Sequence, residues 1–467
     1  MSHPRPQYGG SRPIHAGQAV GSRAPARTHP VKRAGLWTVC FVLWILIVGD
    51  PHRWPAAYGL KFLVLIPIPL LFLTLGVATL TTKIRVVPPL LALAIYAVAQ
   101  VPFAYNIGLA IPVAKVLVGY CALSILTMSA VKSARDAAPI VAWTLLFQYT
   151  WWTLVGAIPG RVTWHTLAYD NYDSFGPMMA IGIGAAFFMA MGAKNRRVRL
   201  IGFATTAGCI IGLVSSFARG AVVAGVATIG WLWLRSPNKL RTAAFGIGGA
   251  VVVFLATNVL FTNVKREDAK GNFWAEMSTI ADTGGTRKDR YTLWAIARIE
   301  WKENPIFGVG PGSFGAYAAE QLGQGQLQGI RSNTDALYNK ALHSVYYQIL
   351  SEFGSLGVII FSWTLWDFWQ RNRAMRRRER IDKWARETGE PFDLRSISLA
   401  LEVAMIGFLA SGYFYNQIFD VHWFYTLITT NALLSQVTNP EVARSSALQA
   451  PRRVAPLPGG GGASRRL

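Results

Sequence analysis

The chain has little of what soluble enzymes are built from. Only 15% of its 467 residues are charged, against roughly 25% in an average soluble protein. Acidic residues are the scarcer sign: 23 Asp and Glu stand against 46 Lys and Arg, a net charge of +23. That shortage, beside 52% hydrophobic residues, excludes an ordinary soluble domain. Cysteine is almost missing as well. Cys40, Cys121 and Cys209 lie far apart, each inside an apolar block, which excludes a disulfide framework and a cysteine metal site. There is no G-x-x-x-x-G-K-S/T, no H-E-x-x-H and no G-x-S-x-G, so the nucleotide cradle, the helical zinc pair and the serine elbow have no candidates. No cleavable signal is visible, because the long polar N-terminal tail leads into an apolar block expected to act as an uncleaved anchor.

What the chain has instead is long apolar blocks, many near the 20 or so residues needed to cross a bilayer. Inside hydrocarbon every backbone amide must be paired within the protein, so blocks of this length read as helices. The pattern predicts an all-α polytopic membrane protein of about twelve transmembrane helices, at approximately 35–49, 57–80, 86–103, 107–131, 137–158, 174–192, 198–216, 219–235, 241–261, 342–369, 396–415 and 417–436. The eighth, 219–235, also fits a re-entrant segment. No pair of broken helices and no inverted repeat is visible. One large hydrophilic loop with short helices, 262–341, separates helices 1–9 (35–261) from helices 10–12 (342–437). Basic tails at 1–34 and 438–467, rich in Pro, Gly, Ser and Arg, read as disordered.

The positive charge falls in alternate connections: Lys83 and Arg85, Lys132 and Arg135, Lys194 to Arg199, Arg235 to Arg241, and the run Arg371 to Arg395. This is the pattern of topology and anionic lipid, not of nucleic acid. It puts both termini in the cytoplasm and the loops 159–174 and 262–341 on the opposite, periplasmic face. Cations on that face run against the rule and therefore stand out.

Arg219 lies in the tight connection Ser215-Ser216-Phe217-Ala218-Arg219-Gly220. Two readings apply: an interfacial arginine reaching for lipid phosphate, or a rigid guanidinium fork that clamps a phosphate substrate. Thr283-Gly284-Gly285-Thr286-Arg287-Lys288-Asp289-Arg290 opens a helical pattern with Trp294, Ala297 and Trp301 on one face. Asp289 suits its start; Arg290, expected in its first turn, opposes the helix dipole and calls for another reason. The glycine-rich turn Asn304 to Phe314 follows no strand, so it reads as a tight connection returning the chain to the membrane. His343 offers the group best suited to accept a proton near neutral pH. In a helix starting there, His343, Tyr347 and Leu350 would share a face. Glu352, two turns deeper, would need a partner such as Arg219 or a wet cavity, and Lys115 inside the fourth span poses the same question. Asp170-Asn171-Tyr172-Asp173 is a weak candidate for a divalent cation; no metal site and no cofactor is expected.

The order Arg290, Trp294, Asn304-Pro305-Ile306-Phe307-Gly308-Val309-Gly310-Pro311-Gly312-Ser313-Phe314, His343, Gln348, Glu352-Phe353-Gly354 resembles the bacterial O-antigen ligase and Wzy-type polymerase superfamily over roughly 160–437. Ser216-Phe217-Ala218-Arg219-Gly220 resembles the family's S-x-S-R-G with one residue inserted, and Ser344 stands where the family has asparagine. The resemblance implies a metal-independent glycosyltransferase of the bacterial inner membrane with its site at the periplasmic face. It implies an undecaprenyl-pyrophosphate-linked glycan donor and a glycan, lipid or protein acceptor. His343 would be the general base, Arg219 and Arg290 the pyrophosphate clamps with Arg287 as the fallback, and Glu352 and Tyr347 supporting groups. Ligase and polymerase stay open, as does a non-catalytic polysaccharide exporter.

Overall fold

A computed structural model describes residues 85–156, 172–255, 277–278, 286–325, 337–338, 340–389, 391–415 and 423–440. The spans expected at 35–49 and 57–80, nearly all of the loop after 158, and both tails lie outside these residues. Among the described residues the regular elements are helices, joined at one point by a β-bridge between Ala193 and Phe392. In chain order they are α1 (Pro88–Gln100), α2 (Ile107–Ala130), α3 (Ala134–Ala142), α4 (Gln148–Gly156), α5 (Tyr172–Gly192), α6 (Arg196–Ser215), α7 (Arg219–Arg235), α8 (Lys239–Leu255), α9 (Thr286–Glu303), α10 (Phe314–Gly323), α11 (Val345–Met375), α12 (Arg378–Thr388), α13 (Leu394–Gly412) and α14 (Trp423–Val437). One π-helical stretch, Trp143–Phe147, joins α3 to α4.

Five of these are long and apolar enough to cross a membrane: α2, α5 from Phe175, α6, α11 and α13. They coincide with expected spans, and α7 matches 219–235 to the residue as an unbroken helix. The helix starts are set locally. The side chains of Asn106, Asn195 and Asp393 accept from Leu109 N, Arg197 N and Ser396 N and so satisfy free amides of α2, α6 and α13. The basic run after α11 is more than a connection: it folds as α12, whose Trp384 is buried with its indole N–H donating to Phe392 O at 2.8 Å.

The core is built around α5, which packs against α6, α7 and α13. Its apolar stretch is 89% buried, whereas those of α2 and α6 are only 33% buried and turn most of their side chains outward. Small residues allow this. A Cβ on Gly184 would collide with Val403 of α13, and one on Gly202 of α6 would collide with Ala190 of α5. Lipid tails are as apolar as leucine, so membrane helices associate through such close packing rather than through hydrophobic exclusion.

α11 departs from expectation. It was expected as one continuous span starting at 342, but it begins at Val345 and is broken at Gly354, which holds φ 62°, ψ −164°, a conformation open essentially to glycine alone. The break strands backbone groups where water is absent, and irregular backbone at membrane depth survives only when the protein satisfies it. The glycine-rich turn does so. Ser351 O and Glu352 O accept from Val309 N (2.9 Å) and Gly310 N (3.0 Å). On the other side of the break, Ser355 N and Leu356 N donate to Pro305 O (2.9 Å) and Ile306 O (3.2 Å). Phe353 O accepts from the Tyr96 hydroxyl of α1 at 2.8 Å. Gly308, Gly310 and Gly312 all have positive φ. Side chains at Gly308 or Gly354 would strike the facing backbone, so the two strands of chain meet without side chains between them.

Candidate functional site

The turn from Asn304 to Phe314 does not carry the chain straight back into the membrane, as expected; it docks against the break in α11 and leads into α10. Its amides are spent in doing so. Gly308 N donates to Asn304 O, Val309 N and Gly310 N to the broken helix, Ser313 N to Gly310 O, and Gly312 N to Glu352 Oε2 at 2.9 Å. A phosphate cradle needs free amides, so these glycines form a clamp on the chain itself. Glu352, buried at 4% exposure, takes a clear role from this: its carboxylate accepts from the loop amide and, at 3.5 Å, from Gln348 Nε2.

α9 brings Arg290 to the same end of the bundle. It is already helical at Thr286, so Arg290 lies in its second turn rather than its first. The expected stripe holds: Trp294 and Ala297 are buried, and Trp301 donates through Nε1 to Ser355 Oγ at 3.1 Å. Arg287 belongs to the same helix; its side chain lies outside the described residues. Glu300 on the buried stripe accepts from Ser351 Oγ. Burial, then the neighbouring Glu352 and Glu303, push the Glu300 carboxyl well above the usual range, against the Ser351 hydrogen bond. Through this hydrogen bond it joins α9 to the break.

His343 is not on the helix. It sits two residues before α11 with φ 49°, so it does not share a helical face with Tyr347 and Leu350 as expected. A left-handed non-glycine residue costs about 1–3 kcal/mol and persists where its surroundings fix it. Here both neighbours are anchored: Leu342 O accepts from Trp294 Nε1 at 3.1 Å, and Ser344 is fully buried, its Oγ without a partner among the described residues. Tyr347 stacks on Trp294 with centroids 5.0 Å apart and planes at 14°.

The imidazole is held neutral. Burial first, then the positive fields of Arg290 and Lys340, lower its pKa from 6.5 to about 4. Arg290 is thus close enough to His343 to be felt, and its guanidinium lies 5.9 Å from the ring centroid of Tyr415, just past α13.

Arg219 opens α7 and is half-buried. It follows a tight turn in which Phe217 has φ 51° and Ser216 Oγ accepts from Ala218 N at 3.2 Å. Its neighbour Gly220 has no Cβ, and Phe414 fills that place. Phe414 packs edge-on against Tyr413 (5.1 Å), and Tyr413 edge-on against Trp294 (5.0 Å). One aromatic cluster, Tyr413 to Tyr415 with Trp294 and Tyr347, therefore links the surroundings of Arg219, Arg290 and His343. The sequence reading did not single out Tyr413–Tyr415 or Glu300. Their signals were an aromatic cluster closing an apolar span and an acid three residues beyond Ala297 on a buried stripe. Of the loop 159–174, Asp170 and Asn171 lie outside the described residues, while Tyr172 and Asp173 open α5. Among the described residues no group of three or more His, Cys, Asp or Glu is placed to hold a metal ion.

The fold and site define a class: a multi-pass helical membrane protein with a neutral histidine and cationic side chains gathered at one end of the bundle. Residues 204–362 match a family model described as O-Antigen ligase, and this stretch of chain is O-antigen-ligase-like. The match runs from α6 through the break in α11 and so includes Arg219, Arg287, Arg290, His343, Tyr347 and Glu352. No curated protein matches the chain.

Proposed function

We propose that the chain transfers a glycan from a polyprenyl-pyrophosphate carrier to an acceptor hydroxyl at the periplasmic face of the inner membrane. The acceptor oxygen attacks the anomeric carbon and forms the new C–O bond as the bond to the pyrophosphate breaks. The lipid pyrophosphate leaves with the electron pair, His343 takes the hydroxyl proton, and the anomeric configuration inverts. Arg219 and Arg290 neutralise the leaving group, with Arg287 held in reserve on the same helix. Guanidinium forks stabilise this developing charge without a metal, so EDTA should leave turnover unchanged.

The observation that carries the reading is the pairing of a neutral imidazole with Arg290. A pKa of about 4 leaves the base unprotonated but weak. An anionic pyrophosphate bound at Arg290 would cancel part of the field that depresses it, and so strengthen the base only when donor is present. The break in α11 argues against an exporter. Transporters use interrupted helices to present backbone to substrate, whereas here the stranded groups at the break are bonded within the protein.

The test is incubation of purified protein with a lipid-pyrophosphate glycan and candidate acceptors. One transfer per acceptor is the expected product and identifies a ligase. A ladder of lengths would identify the polymerase, and no transfer to any hydroxyl acceptor would end the proposal.

A further inference from the structure

A second charged site lies at the far end of the same helices. Arg219 opens the 17-residue α7 and Arg235 closes it, about 24 Å along the axis. There α13 buries Glu402 at 3% exposure inside an apolar span. Arg235 grips it with Nε on Oε1 (2.6 Å) and Nη2 on Oε2 (2.9 Å), Trp231 Nε1 donates to Oε1 at 2.9 Å, and Arg376 Nη2 donates to Oε2. Arg376 is fixed further by Ser398 Oγ and Asn372 Oδ1, both at 2.9 Å. A cavity of about 430 Å³ opens beside this cluster, walled by Trp366, Trp369 and Arg373 as well as by the arginines on Glu402.

The charges there do not balance. One carboxylate already serves two guanidinium groups, while Arg235, Arg395 and Arg373 all press electrostatically on Arg376. Among the described residues Arg373 and Arg395 have no acidic partner. Cations clustered at the edge of a bilayer attract anions. The wall says which kind. Trp366 is 66% exposed and continues the outward face of α11 through Ile359 and Trp363, and tryptophan favours the headgroup layer.

We infer that this cavity binds the phosphodiester headgroup of an anionic phospholipid. The arginines hold the phosphate, and the tryptophans flank the glycerol and upper acyl chain. Basic pockets between membrane helices suit such headgroups. The site is separate from the His343 end and does not depend on the proposed transfer reaction.

The test uses the full chain in neutral detergent, with native mass spectrometry of bound phosphatidylglycerol against phosphatidylcholine, and inorganic phosphate as competitor. Wild type should prefer phosphatidylglycerol by about tenfold or more, and phosphate should not displace it. Arg373→Glu should abolish the preference. Trp366→Ala, at an exposed position, should weaken retention of phosphatidylglycerol several-fold, and decides the matter if Arg373→Glu fails to fold, judged by melting in phosphatidylcholine. Equal retention of both lipids by wild type, an undiminished preference in the folded variants, or displacement by inorganic phosphate would each overturn the inference.

Discussion

At the scale of single residues, His343 combines an unusual backbone with an unusual charge state. Its pKa of about 4 lies below the 6.5 of an unfolded chain. Both states are neutral above pH 6.5. As pH falls from 6.5 toward 4 the unfolded state gains a proton that the folded state refuses, so this group lowers folding stability across that window and has no effect above it. For activity, the acidic limb of kcat/KM should fall near pH 4, and that of kcat should sit higher, because bound pyrophosphate offsets Arg290. Coincident limbs near 6.5 would contradict the assignment. His343→Ala should lower kcat by about 10²–10⁴-fold, measured on the lipid-pyrophosphate donor. Arg219→Lys and Arg290→Lys should each lose about 10²-fold or more, since an ammonium cannot form the two-pronged contact; unchanged turnover would remove the clamp. The arginines stand out in the sequence because the topology rule disfavours cations on that face, and His343 because an imidazole at the mouth of an apolar span is the group best suited to take a proton. The geometry of His343 is not legible there. Nothing in Leu342-His343-Ser344 distinguishes a helical start from a left-handed residue, and it is Trp294, 48 positions earlier, whose indole fixes the carbonyl before it.

At the scale of elements, the union of the glycine-rich turn with the break in α11 holds α9, α10 and α11 in register. Gly354→Ala should destabilise the protein by about 1–3 kcal/mol from backbone strain alone, with steric conflict against Ile306 and Gly308 added. The measurement is the thermal midpoint in detergent, where an unchanged value would mean that the break is not needed. Glu352→Gln keeps an acceptor for Gly312 N and should stay near wild type in the same assay. Glu352→Ala leaves that amide bare and should fall well below it. The helices themselves were legible from apolar length, with boundaries within a few residues for α2, α6 and α7. The break was hidden because glycine is common in membrane spans and the apolar pattern runs through Gly354 without interruption. Its partner turn was visible as glycines, but not its destination.

At the scale of the whole molecule, α7 and α11 each begin at the proposed transfer site and end beside the proposed lipid site. Arg219 and His343 stand at their beginnings, Arg235 and Arg376 at their ends. The alternation of basic connections predicts two faces but says nothing of the buried Glu402, whose single charge inside a long apolar stretch is the available signal. The two faces can be assigned by labelling Gly325→Cys and Arg378→Cys, each in a Cys40→Ser background, in intact cells with an impermeant maleimide; Arg378 is 95% exposed, and the native Cys121 and Cys209 are buried. The cysteine at 325 should react from outside, and the one at 378 only after permeabilisation. The seam between the turn and the broken helix also limits how the protein can be recombined. Four of its hydrogen bonds run from backbone to backbone, so no single side-chain exchange can restore a mismatch there. Chimaeras that trade 304–356 as one cassette should express and insert, while those that trade the helix without the turn should be degraded.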